Sequence, residues 1–270
     1  MPEGHTVHQI ARDHRRLLRG RQLAVTSPQG RFSAGAARLD GDVLDDVEAF
    51  GKHLFYWWRR GLLLHVHLGL FGRFTLRRGT RAPAPAGALR LRMVADRDDG
   101  RQRLTLDLRG PTDCSVISPA ERETIIGRLG PDPLRHDADP SRFVARVTRT
   151  DRPIGALLLD QSVIAGLGNV YRAEVLFGCG IHPRRSGRSL DQSEAECLWV
   201  TAKSMLRKGV RDRRIVTVDP SELVVSAGSH AQPGVSTYAY RRDVCVRCGS
   251  AIERFALGNR TCFACPVCQR

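Results

Sequence analysis

The hydrophobic period of the chain changes twice. In VHQIARDHRRLL, Val7, Ile10, Ala11, His14, Leu17 and Leu18 fall at i, i+3, i+4, i+7 spacing with Arg12, Asp13, Arg15 and Arg16 on the other faces. This predicts an amphipathic helix ending near Gly20. Its start falls within residues 2–6, where Thr6 and Gln9 offer a capping box and Pro2 and Glu3 crowd the positive end of the helix dipole. From residue 22 to about 117 the pattern is that of strands: HLFYWW, GLLLHVHLGLFGRFTL, LRLRMV and RLTLDL, the last two alternating in period two. Several short strands of this kind predict a β-sandwich. TRAPAPAGA, residues 80–88, is a Pro/Ala/Gly loop between two of them.

Helical character returns from 118 to about 218, opening on SPAERETIIGRLG, where Ser118 can cap and Pro119 can occupy the first turn. GALLLDQSVIAGLGNVYRAEVLFGCGIHP reads as two apolar helices around the turn Gly166-Leu167-Gly168, with Asn169 placed to cap the second. Residues 219–240 are mixed and Gly/Ser-rich, a long loop. The expected class is therefore α+β: a sandwich with an N-terminal helix over 1–117, a helical domain with a variable loop over 118–240, and a cysteine-rich hairpin over 241–270.

A length of 270 residues suits two domains with cores of their own. Forty-three Lys and Arg against 28 Asp and Glu give a formal charge of +15, which points to a polyanion, nucleic acid first. A membrane surface would attract the same charge, but the sequence has no apolar run of 18 residues, no lipidation signal and no secretory h-region. A cytoplasmic protein with no membrane partner is expected. Among the basic residues only Lys52, Lys203 and Lys208 are lysines. Lysine titrates and arginine does not, so Lys52, alone in the first 200 residues, is either a surface cation or a chemical one.

The chain closes on CVRCGSAIERFALGNRTCFACPVCQR. Cys245 and Cys248 form one C-x2-C, Cys265 and Cys268 a second, and the 16 residues between them match a four-thiolate zinc site. One structural zinc ion would staple a β-hairpin turning at Gly258-Asn259, too short to bury a core of its own. Redox pairs or disulfides are the competing reading. Cys262 is a fifth thiol in the finger that can compete for metal, while Cys114, Cys179 and Cys197 read as buried structural residues. Arg260, directly after the hairpin turn, is either a solvated arginine or a phosphate ligand.

Taken together, the opening PEG, the HLG within the sandwich, LLLDQSVIAGLGNVYRAEVLFGCGIHP and the paired C-x2-C knuckles resemble the formamidopyrimidine-DNA glycosylase and endonuclease VIII family over essentially the whole chain. The resemblance implies a base-excision enzyme built of a β-sandwich, a helix–two-turns–helix domain and a zinc finger, holding damaged double-stranded DNA in the cleft between its halves and acting as a monomer at the bacterial nucleoid. It implies that Pro2, freed by removal of Met1, is the nucleophile. An α-amine titrates near 8, and its secondary nitrogen forms an iminium at the sugar C1′. Glu3 matches the family's acid, and Lys52 the hairpin lysine that contacts phosphate and assists proton transfer. Asn169 and Arg260 match the phosphate-binding asparagine and the finger arginine. His67, Leu70 and Phe71, in HLGLFG, lie where a wedge fills the hole left by a flipped nucleotide, Leu70 first and Phe71 next, although two apolar residues there also fit a core. Arg109 matches a void-filling or phosphate-facing arginine.

Thr6 stands where relatives often carry a second acid. LF in place of a methionine wedge, and RGPT in place of arginine followed by phenylalanine, bring the chain closer to the endonuclease VIII branch. Oxidised pyrimidines are the first expected substrate and oxidised purines (formamidopyrimidine, 8-oxoguanine) the second. A non-catalytic zinc protein that recognises damaged DNA, or one acting on RNA, are the alternatives of another class.

Overall fold

A computed structural model describes residues 2–96, 102–219, 221 and 236–270. The chain divides into two compact units: Met1–Glu3 with Val7–Gly127, and Gly4–Thr6 with Arg128–Arg270.

Helix α1 (Gly4–Leu18), which belongs to the first unit from Val7 onward, has as its N-cap Glu3 in extended backbone conformation with no side-chain capping bond. The Thr6–Gln9 capping box does not form, because the helix begins before Thr6 and places that hydroxyl inside the first turn, against His5 Nε2 at 3.1 Å. Then follow β1 (Ala24–Thr26), α2 (Ser33–Leu39), β2 (Leu44–Phe50), β3 (His53–Trp58), β4 (Leu63–His67), β5 (Arg73–Gly79), β6 (Leu89–Asp96), β7 (Arg103–Arg109), β8 (Asp113–Ile117) and α3 (Pro119–Gly127). Two antiparallel four-stranded sheets, ordered β1-β6-β7-β5 and β2-β3-β4-β8, make the sandwich.

Alternation decides which side chains face the shared core. Leu54, Tyr56 and Trp58 of β3, Leu64 and Val66 of β4, and Leu91, Met93, Leu104, Leu106 and Leu108 of the other sheet are buried in one cluster with Val7, Ala11 and Leu18 of α1. The opposite face of β3 carries His53, Phe55 and Trp57, and there α3 packs Ile125 and Ile126. Ser118 caps α3 reciprocally with Glu121, as its sequence implies. The sequence puts the domain boundary at residue 118, whereas α3 clusters with the sandwich. Its Arg122 Nε donates to Glu48 Oε1 at 2.6 Å, and the guanidinium lies over the Phe55 and Trp57 rings.

The second unit holds α4 (Pro140–Thr148), α5 (Ile154–Leu157), α6 (Asn169–Gly178), α7 (Gln192–Asp212) and the hairpin β9 (Glu253–Leu257) with β10 (Arg260–Ala264). Phe143, Leu157, Tyr171, Val175, Trp199 and Leu206 share its helical core. Phe177, Tyr238 and Phe263 join α6 to the finger in a second cluster. Buried Glu174 on α6 accepts from Thr217 Oγ1 and from the backbone N–H groups of Tyr238, Ala239 and Tyr240. Of the 219–240 loop, residues 220 and 222–235 lie outside the described residues. No helix among the described residues is long and apolar enough to cross a membrane.

Candidate functional site

Pro2 is partly exposed, and Glu3 beside it is fully buried at the start of α1, its carbonyl accepting from Val7 N–H. Pro2 thus directly precedes a carboxyl-bearing residue that is shielded from bulk water. The third residue of PEG has a steric reason. Gly4 N–H donates to Gly166 O at 2.8 Å, and a Cβ on Gly4 would stand 2.9 Å from Gly166 Cα, so two glycine backbones touch where any side chain would intrude. His5 packs edge-on to Tyr171, with ring centroids 5.3 Å apart. Burial lowers its pKa to about 4, leaving it neutral at physiological pH.

Lys52 and Gly51 form the two-residue turn between β2 and β3, closed by the Phe50–His53 pair, with Gly51 at φ 57°. Register then sets His53 opposite His67, and His67 opposite Asp113. His53 Nδ1 lies 2.9 Å from His65 Nε2, and His65 Nδ1 lies 2.9 Å from Asp113 Oδ2. The His53 and His67 rings are 4.9 Å apart. Burial, then the neighbouring histidines and Lys52, hold His53 down at about 3; the same causes lower His67. Lys52 therefore sits beside neutral imidazoles, which can donate or accept a hydrogen bond without adding charge.

Leu70 and Phe71 occupy the turn between β4 and β5, 44% and 84% exposed, so neither belongs to the core. Gly69, at φ 64°, and the Gly72 N–H to Leu68 O bond shape that turn and hold both side chains out. Phe71, placed second on sequence, is the more exposed. Arg109, at the end of β7, turns inward: Nη2 reaches Asp107 Oδ2 at 3.4 Å and Ala86 O at 3.3 Å, beside the buried Arg92–Asp107 pair.

In the second unit Asn169 is the first residue of α6, and Gly168 is its N-cap. The expected Asn169 cap does not form, because tertiary partners take the carboxamide. Nδ2 donates to Thr261 O at 3.0 Å, and Oδ1 accepts from buried Arg172. Arg260 opens β10 directly after the Gly258-Asn259 turn, with its side chain exposed. A helix N-terminus, a carboxamide donor and an exposed guanidinium are groups of the kinds that can bind phosphate.

The Sγ atoms of Cys245, Cys248, Cys265 and Cys268 lie within 4.8 Å of one another, an arrangement that can hold a metal ion. A tetrahedral ion at about 2.3 Å from each sulfur needs sulfurs about 3.8 Å apart; Cys245 and Cys268 are 3.9 Å apart, Cys248 and Cys265 3.4 Å. Cys262 is buried on β10 outside the cluster, and burial raises its thiol pKa. Cys114, Cys179 and Cys197 are only partly buried.

His53, His65 and Arg172 escaped the sequence reading. Alternating His65 and His67 signalled a shared strand face, but only the β3–β4 register brings in His53.

Residues 1–114 match the model of the formamidopyrimidine-DNA glycosylase N-terminal domain, and residues 129–219 that of the formamidopyrimidine-DNA glycosylase H2TH domain. The chain belongs to this family. Among its relatives, Endonuclease 8 1 of Mycobacterium tuberculosis is 46% identical over 274 residues, covering all of both chains. The formamidopyrimidine-DNA glycosylase of Geobacter metallireducens is 31% identical over 278 residues, again with full coverage. Of solved structures, the Thermus thermophilus MutM (Fpg) protein superposes with a TM-score of 0.77 at 28% identity over 99% of this chain and 98% of that one. The Lactococcus lactis formamidopyrimidine-DNA glycosylase, bound non-covalently to DNA containing an AP site, gives 0.81 at 23% identity and shares the fold over 99% of each chain.

Proposed function

We propose that the chain excises oxidised pyrimidines from double-stranded DNA, with Pro2 as nucleophile and Glu3 as its proton donor. The broader activity, a base-excision DNA glycosylase with AP lyase function, goes with the family and with likeness to Endonuclease 8 1 along the entire length. The observation that carries the assignment of residues is the adjacency of Pro2 to a wholly buried carboxyl group at the start of α1.

In this reading the Pro2 nitrogen bonds to C1′ as the C1′–base bond breaks, and Glu3 protonates the deoxyribose ring oxygen so that the C1′–O4′ bond opens to an iminium. The resulting iminium draws electrons, a proton leaves C2′, and the 3′ phosphate is eliminated. Lys52 and His67 contact the backbone at the lesion, Asn169 and Arg260 grip the flanking phosphates, and Leu70 and Phe71 fill the gap after base flipping. Arg109, paired with Asp107, lines the vacated position rather than reaching out to phosphate. The four cysteines hold one zinc ion, which ties the hairpin and supplies no reactive chemistry. The work is done in the bacterial cytoplasm, by a monomer.

The pyrimidine preference is supported by identity of 46% to Endonuclease 8 1 against 31% to the Geobacter formamidopyrimidine-DNA glycosylase. Borohydride reduction with a duplex carrying an oxidised pyrimidine should trap one covalent adduct per chain, on the N-terminal peptide. Mass spectrometry first establishes that Met1 is gone. With Pro2 free, absence of an adduct on every lesion tested supports the non-catalytic binder, and faster excision of oxidised purines supports the other substrate class.

A further inference from the structure

We infer that Arg172 is a positioning residue: it sets which end of the Asn169 carboxamide faces outward and ties that amide to the finger strand beside Arg260. The inference rests on the reading of Asn169 and Arg260 as phosphate contacts.

Arg172 lies one turn beyond Asn169 on α6, completely buried. Its Nη2 donates to Asn169 Oδ1 at 2.5 Å and to Thr261 O at 2.8 Å, and its Nη1 reaches Gly155 O at 3.5 Å. Asn169 Nδ2 donates to the same Thr261 carbonyl at 3.0 Å. A carboxamide fits its site in two orientations related by a half-turn, one presenting oxygen and the other N–H. A guanidinium only donates, so beside Arg172 the oxygen must face inward. Nδ2 carries two protons, and Thr261 takes one, which leaves the second for a phosphate at the α6 N-terminus.

Without that guanidinium the Asn169 oxygen loses its donor, and the carboxamide is held at one end, by Thr261 O, instead of at both. Thr261 directly follows Arg260, so one carbonyl, held by both Asn169 and Arg172, joins the helix end to the finger. A lysine in place of Arg172 keeps charge but not the planar fork that serves two oxygens at once.

The test uses the full-length, metal-loaded protein and a duplex with a tetrahydrofuran abasic analogue, its affinity measured across a salt series. Arg172→Met should weaken binding ~10- to 100-fold, the worth of one hydrogen bond to a charged group. Combined with Asn169→Ala it should add no further loss. A folded Arg172→Met protein with the parent's affinity, or a loss that adds in full to that of Asn169→Ala, overturns the inference. If Arg172→Met does not fold, Arg172→Lys decides: weaker binding that Asn169→Ala does not deepen supports the inference, and the parent's affinity overturns it. Asn169→Ala and Arg260→Ala run alongside; if neither weakens binding, it is the phosphate-contact reading that fails.

Discussion

Replacing Gly4 by alanine adds one methyl group where the Gly166 backbone already lies. The new carbon would stand 2.9 Å from Gly166 Cα, 3.0 Å from its carbonyl oxygen and 3.2 Å from its carbonyl carbon. All three are main-chain atoms, so no rotamer change relieves the contact. Restoring ordinary carbon–carbon separation, about 3.5–4.0 Å, requires moving the two segments apart by at least half an ångström. The 2.8 Å bond from Gly4 N–H to Gly166 O then stretches beyond good geometry. Overpacking costs about 1–3 kcal/mol and the weakened hydrogen bond about 1, against at most about 1 gained in helix propensity. The net expectation is a loss of about 1–3 kcal/mol, or about 2–10 °C in Tm. Pro2 and Glu3 precede Gly4 directly, and a displacement of about 1 Å at reacting groups costs on the order of 100-fold in rate. Thermal melting together with single-turnover cleavage of an abasic duplex measures both effects. Gly127→Ala is the control: it lies in α3 at ordinary φ with nothing within 4 Å of its Cβ, and should melt at or above the parent temperature. Gly4→Ala with the parent's Tm and cleavage rate would refute the steric reasoning.

Phe71→Ala should leave Tm within about 1 °C, since the ring is 84% exposed, yet reduce excision from duplex at least ~10-fold; a large drop in Tm would assign the ring to packing instead. Chelation should release one metal ion per chain and abolish duplex binding while the sandwich remains folded, followed by metal-sensitive dye, anisotropy and circular dichroism; binding that survives metal release contradicts a stapled finger. Burial holds His14 at about 4, beside Tyr56 OH at 2.7 Å, against 6.5 when unfolded. The native state therefore binds fewer protons between those values, so stability is full above pH 6.5 and falls by about 2–3 kcal/mol as pH drops toward 4. Denaturant titrations at pH 7 and 4.5 should show at least that fall, and His14→Gln, which can still bond Tyr56, should lessen it by the His14 share, His5 and the His53 cluster supplying the rest. An unchanged pH profile in that variant would place the acid sensitivity elsewhere.

The sequence was most informative where local chemistry determines structure. Period-two alternation located β6 and β7, Gly258-Asn259 located the finger turn, and cysteine spacing located four thiols that converge. β1 has only three residues, and β2 mixes acids with apolar positions, so neither carries a pattern strong enough to read. Small alanines in SAGAARL gave no periodic stripe, and α2 was missed within a region otherwise made of strands. Asn169 is the instructive failure: its propensity to cap was overridden by a carbonyl 92 positions away and by a buried arginine, partners that no local window contains. The imidazole cluster beside Lys52 likewise depends on strand register, a property of pairing rather than of either strand alone.

Glu174 has a consequence for loop length. One carboxylate receives the chain at Thr217 and again at Tyr238–Tyr240, clasping both shoulders of the intervening segment. Lengthening a span whose ends are so fastened costs only about 0.6 kcal/mol per doubling. Changes of length between those anchor points are therefore expected to weigh little on the stability of the frame that carries them.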